Sequence, residues 1–202
     1  MKKQIVIIHG GDSFETYEQY LLYLNNKVLD FERLKRKNWQ GTLGEKLGEG
    51  FEVLCPKMPN PTNARYLEWQ IWFEKLIPFL EDEVVLVGGS LGGIFLAKYL
   101  SENDFPKKIR ATFLIAAPYN TEGAEYSLVD FTLSAPLKRF QEQGGAISLY
   151  HSENDPVVPF SNLAKYRKEL PNAAVRIFKD REHFQQAELP EIVEDMRALY
   201  EA

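Results

Sequence analysis

Six short runs rich in β-branched and other apolar residues alternate with longer amphipathic stretches, and this alternation constrains the chain more than any other feature. The runs fall at residues 4–8, 51–55, 84–87, 111–115, 146–150 and 174–178. Each is almost continuously apolar, as expected of strands in a parallel sheet covered on both faces. Between them lie helical patterns. Residues 65–80 place Leu67, Ile71, Leu76 and Leu80 along a stripe, with Pro78 straining the last turn. Residues 91–102 carry Ile94, Phe95, Ala97 and Leu100. Residues 161–170 open with Ser161 as a cap, and residues 190–200 with Pro190 at a first helical position. The alternation predicts a single α/β domain over residues 1–202. It would be doubly wound, with about six mostly parallel strands and helices on both faces.

Two stretches are less regular. Residues 15–50 are long for one connection and are expected to hold two or three helices, the last starting at Trp39-Gln40-Gly41-Thr42. Residues 119–143 are polar and irregular at first, then helical in pattern.

Charge and composition narrow the partners. The net charge of −5 repels polyphosphate, so no nucleic-acid partner is expected. The one basic cluster, Arg33-Leu34-Lys35-Arg36-Lys37, reads as a solvated helix face. The single cysteine, Cys55, excludes an intrachain disulfide and fits a reducing compartment; beside Pro56 and with no helix start behind it, it reads as a small hydrophobe. The apolar run after Met1-Lys2-Lys3 is too short for a signal core, and no segment reaches the length of a membrane span. A cytoplasmic protein without membrane contact is expected.

Gly88-Gly89-Ser90-Leu91-Gly92 matches G-x-S-x-G, with a strand pattern directly before it and a helical pattern directly after. A serine lifted above a sheet on a sharp strand-to-helix turn needs small neighbours, because side chains at 88 or 92 would meet backbone. Gly93 would let the helix lie close to the sheet. Ser90 is the candidate nucleophile. The alternatives are a glycine turn used only for packing and a phosphate loop. A dinucleotide fingerprint needs glycine where Ser90 stands, and a Walker loop needs an absent lysine.

A serine nucleophile needs a base. Of His9, His151 and His183, only His183 follows the last strand pattern, between Glu182 and the final helix. His151 reads as a strand-end packing residue. The acid is expected just past the fifth strand, where Asp155 lies between His151 and the stiff segment Pro156-Val157-Val158-Pro159. Glu153 is its nearest rival, and Asp180 is too close in sequence to His183. The acid would accept the Nδ1 proton and hold the tautomer. A tetrahedral intermediate needs two N–H donors. Leu91, at the helix start, and Gly11, in His9-Gly10-Gly11-Asp12, are the candidates for this oxyanion hole. No metal or cofactor is called for.

Together these residues resemble the small α/β-hydrolase family that includes retinoblastoma-binding protein 9 and its bacterial relatives. Pro56-Lys57-Met58-Pro59-Asn60-Pro61, then Asn63-Ala64-Arg65 and Trp69, is similar to that family's segment after its second strand. His183-Phe184-Gln185 is similar to its histidine segment. The resemblance implies an α/β-hydrolase fold with strand order 2-1-3-4-5-6, in which the loops bearing Gly11 and Ser90 flank the topological switch point. Three positions depart from it. Glu182 stands where glycine is usual, Gly89 where histidine is frequent, and the connection after the first strand is longer.

The expected activity is acyl transfer to water on a small soluble ester, thioester or activated amide, through an acyl-enzyme on Ser90. No substantial lid is evident. The rival is a protein-binding module on the same scaffold, since a fold does not fix a function. Tyr119, Tyr126, Trp69 and Trp72 are candidates to line a pocket.

Overall fold

A computed structural model describes residues 2–35, 37–133 and 135–201, with the side chains of residues 33 and 34 outside the description. Six parallel strands form one sheet in the order β2-β1-β3-β4-β5-β6. They are β1 (Lys3–Ile8), β2 (Phe51–Leu54), β3 (Val84–Gly89), β4 (Ile109–Ile115), β5 (Ala146–Ser152) and β6 (Ala174–Phe178). The helices are α1 (Tyr17–Asn26), α2 (Phe31–Leu34), α3 (Trp39–Leu47), α4 (Tyr66–Leu76), α5 (Leu91–Glu102), α6 (Lys138–Gln143), α7 (Ser161–Glu169) and α8 (Pro190–Ala198). This is the α/β-hydrolase architecture, and β1 and β3 are the neighbours at its switch point.

Side chains alternate across each strand, so β1 divides its apolar residues between two cores. Ile5 and Ile7 face α3 and α8 with Trp39, Leu43, Ile192 and Met196. Val6 and Ile8 face α4 and α5 with Trp69, Phe73, Ile94 and Phe95. Nearly every residue of α5 is buried, since it packs on the sheet and beside α6, with Trp69 and Phe73 of α4 against its Phe95.

Several expected details are corrected. On α4 the core face is Tyr66, Trp69 and Phe73, while Leu67 and Ile71 are 62% and 49% exposed. The large rings, three and four residues apart, bury more apolar area than the leucine stripe would. The helix stops at Leu76, and Pro78 lies in a 3-10 turn, Ile77–Phe79. Ser161 is the first helical residue of α7 rather than its cap, and Phe160 caps it without a side-chain bond.

The connection after β1 holds three helices. α1 opens with a capping box in which Thr16 and Gln19 bond each other's backbone, yet it buries none of its residues. It is tethered through rings of Phe14, Tyr20 and Tyr23, and the Tyr23 hydroxyl donates to Asp12 Oδ2 at 2.9 Å. Of the basic run, residue 36 and the side chains at 33 and 34 lie outside the described residues. Lys35 and Lys37 are exposed and pair with Glu32 and Glu45. Among the described residues, no helix is long and apolar enough to cross a membrane.

Candidate active site

Ser90 stands between β3 and α5 with φ 52° and ψ −122°, a left-handed backbone that a non-glycine residue adopts only when its surroundings enforce it. Its N–H bonds Ile115 O at 2.8 Å. The surroundings are tight. A Cβ at Gly88 would lie 2.5 Å from Gly92 O, and one at Gly92 would lie 2.2 Å from Ile8 O and 2.6 Å from His9 O. At Gly93 it would sit 2.5 Å from the Ala117 Cβ, which is why α5 can lie close to the sheet. Gly92→Ala is therefore expected to push α5 off β1 and destabilise the fold by about 1–3 kcal/mol or more, read as a lower urea midpoint. At Gly89 a Cβ would meet Gln40 Nε2 at 2.9 Å. Here α3 fills the room a larger residue would need.

His183 lies in the connection from β6 to α8. Its Nε2 is 2.9 Å from Ser90 Oγ, and its Nδ1 is 2.9 and 3.1 Å from Asp155 Oδ2 and Oδ1. A carboxylate only accepts, so Nδ1 carries the proton and Nε2 is left to accept from the serine hydroxyl. The Asp155 side chain is fully buried and that of His183 is 13% exposed. Asp155 Oδ1 also accepts the N–H groups of Val157 and Val158 at 2.8 and 3.0 Å, so the buried carboxylate is well supplied with donors. The rival acids lie elsewhere. Glu153 is exposed, and Asp180 is an exposed side chain beside Arg181.

The histidine loop is held by α3. Trp39 Nε1 donates to Phe184 O and Trp39 N to Gln186 O, both at 2.9 Å, while Thr42 Oγ donates to Ala187 O. The long connection after β1 thus reaches the site through α3. Glu182 and Phe184, either side of His183, have φ of 46° and 52°. Position 182 therefore takes the backbone that favours glycine, and the glutamate there carries strain.

His151 sits at the end of β5, buried, and its Nε2–H donates to Val158 O at 3.0 Å. Burial holds its pKa below the usual 6.5, outweighing the Val158 bond and the Asp155 charge, which both act upward. The folded state then binds fewer protons than the unfolded chain. Stability is present above the unfolded value and is lost as pH falls through the lower folded one. Urea midpoints measured from pH 7.5 down to 5 should fall more steeply for the wild type than for His151→Gln, whose amide can still donate to Val158.

Gly11 and Leu91 lie on the two loops at the switch point. The space a Gly11 Cβ would take is bounded by Pro61 O at 2.5 Å and by the Leu91 and Trp69 side chains. Among the described residues, neither the Gly11 nor the Leu91 N–H has a protein acceptor. His9 fixes this loop. Met58 N–H donates to its Nε2 at 2.9 Å, so its proton is on Nδ1, which donates to Gly10 O at 2.6 Å. The Gly10 carbonyl and the Gly11 N–H share one trans peptide, so holding the first aims the second. Ser13 then bridges to Ser127 and ties this loop to the one after β4.

The proposed pocket aromatics divide. Trp69 is core, its N–H given to Pro59 O, and Trp72 is exposed. Tyr119 and Tyr126 are partly buried on the loop after β4. The Tyr126 hydroxyl donates to Asn120 O at 2.9 Å, and burial, then the Asp155 charge, push its pKa up to about 12. Cys55 lies just past β2 and is exposed rather than packed, because the strand already ends at Leu54. Among the described residues no cluster of ligands could hold a metal.

Comparison with known proteins follows the same lines. The family model for serine hydrolases matches residues 30–189. No curated protein matches the chain. Among solved structures, the ydeN gene product from B. subtilis is similar with a TM-score of 0.73 at 19% identity, over 100% of both chains. A protein described as YdeN-like from Pectobacterium atrosepticum gives 0.68 at 14%, covering 99% of this chain and 91% of that one. A lipase-esterase related protein from Clostridium acetobutylicum gives 0.63 at 9%, covering 98% and 94%. These likenesses show the fold.

Proposed function

The chain belongs to the serine hydrolase family, and from that premise we propose that it cleaves small ester, thioester or activated amide substrates through an acyl-enzyme on Ser90. The observation that carries the reading is the 2.9 Å contact between His183 Nε2 and Ser90 Oγ, with Asp155 behind the imidazole. His183 takes the hydroxyl proton as Oγ attacks the carbonyl carbon. The oxyanion that forms is met by the N–H groups of Gly11 and Leu91, the latter at the positive end of α5. Collapse expels the alcohol, thiol or amine, which leaves with the proton from His183. Water then attacks the acyl-enzyme as His183 takes its proton, and the second intermediate breaks at the bond between Ser90 Oγ and the carbonyl carbon, His183 returning the proton to Oγ as the acid departs. Asp155 keeps the imidazole oriented and stabilises its charged form.

A binding module on this scaffold is the second reading, and one experiment separates the two. Wild type and Ser90→Ala are compared on a series of p-nitrophenyl acyl and aminoacyl esters. The hydrolase reading expects wild-type turnover with a clear chain-length preference, and a variant at the uncatalysed background. Equal rates from both proteins across the series would reject it.

A further inference from the structure

Asp155 and His183 are 28 residues apart, on loops that follow different strands, yet their side chains meet within hydrogen-bond reach. Nothing in the strands alone fixes the two loops to a few tenths of an ångström. A second set of contacts does so. Glu153 N–H donates to Phe178 O at 2.7 Å. Arg181 N–H donates to Ser152 Oγ at 3.1 Å, and Ser152 Oγ–H donates to Asn154 Oδ1 at 2.7 Å. The same Asn154 Oδ1 accepts Glu182 N–H at 3.0 Å. The two peptide N–H groups just before His183 are thus received by two residues just before Asp155, and a single amide oxygen closes the circuit. Ser152 is fully buried, whereas Asn154 is exposed as a residue, so core packing does not account for its side chain.

We propose that Asn154 is a positioning residue that locks the base-bearing loop to the acid-bearing loop, with Ser152 as its relay. The inference rests on the reading of Ser90, His183 and Asp155 given above. It also explains how Glu182 is kept in a left-handed backbone: its N–H is drawn toward Asn154, and the strain of φ 46° is held by that bond. The chemistry asks only for an acceptor at this point, which a carboxylate supplies as well as an amide.

The test compares Asn154→Ala, Asn154→Asp and Ser152→Ala with the wild type. Thr112→Val is the control, since it removes a buried bond of similar kind (Thr112 Oγ to Gly144 O, 2.7 Å) far from the two loops. The readouts are kcat and KM on an ester, thermal stability, and the downfield proton resonance of an Nδ1–H bonded to a carboxylate. Asn154→Ala should lose roughly tenfold to a hundredfold in kcat with KM little changed, as expected when reacting groups drift by a fraction of an ångström. Its downfield resonance should broaden or vanish, and Ser152→Ala should move the same way. Asn154→Asp should restore both kcat and the resonance, and Thr112→Val should lose stability without losing kcat. Wild-type kcat in Asn154→Ala, or an aspartate variant as impaired as the alanine one, would overturn the proposal. If no ester is turned over at all, the resonance decides. Loss with alanine and return with aspartate upholds the lock while the hydrolase reading falls, and an unchanged resonance overturns the lock.

Discussion

Replacing His183 with alanine is expected to lower kcat on an ester substrate by on the order of 10⁶-fold while leaving KM near its wild-type value. A serine hydroxyl is hardly ionised at neutral pH and must hand its proton to something as it attacks. In the proposed mechanism His183 Nε2, 2.9 Å from the hydroxyl oxygen, takes it. The other two imidazoles offer no substitute. His9 Nε2 already accepts from Met58, and His151 Nε2 is spent on Val158 O. The loss therefore cannot be made good from inside the protein. Steady-state kinetics on the best ester of the series measures it. A variant within tenfold of the wild type would mean that the proton goes elsewhere.

Asp155→Asn should cost on the order of 10⁴-fold in kcat with the fold intact. The amide oxygen can keep the two N–H groups of Val157 and Val158 that now reach Oδ1. The amide nitrogen is then turned to His183, where it is a donor facing a donor. The imidazole relieves the clash by moving its proton to Nε2, which leaves no acceptor toward Ser90. The substitution removes almost no volume and little stability, so a loss of this size has to come from the tautomer. Glu153→Gln and Asp180→Asn, at the rival acids, should stay close to wild type. A large loss at either of them, with Asp155→Asn unaffected, would reassign the acid.

Much of the scaffold was legible because burial on both faces leaves an unmistakable mark. Residues 84–87 and 111–115 are apolar at every position or nearly so, and they form the centre of the sheet, in β3 and β4. Helix α5 was read to the residue because glycines fix its start and every face is apolar. On α4 the reading failed. Periodicity weighs a leucine and a phenylalanine alike, while packing favours the larger ring. Residues 15–50 resisted detail for a related reason: α1 buries no residue and so has no apolar stripe for the sheet to impose.

The candidate site was legible where the chemistry demands a residue type, as at Ser90 and His183, or where chain order in the fold limits the choice, as at Asp155. The supporting contacts were not. His9 is visible in the sequence as a histidine too early for the base and as the first residue of a glycine turn, yet it aims the Gly11 peptide. Ser152, Asn154 and Gln40 carry no signal in one sequence, because a small polar residue near a strand end is ordinary and its partner lies many positions away. Glu182 was visible as a departure from the family pattern, and its left-handed backbone gives that departure its physical meaning.

In the proposed mechanism the Ser90 oxygen is made nucleophilic by the imidazole beside it. The most direct measurement is reaction with a fluorophosphonate, followed by mass spectrometry of the adduct in the wild type, in Ser90→Ala and in His183→Ala. One covalent adduct is expected, located on Ser90, absent from the first variant and strongly slowed in the second. An unlabelled wild type, or an adduct that persists when Ser90 is replaced, would contradict it.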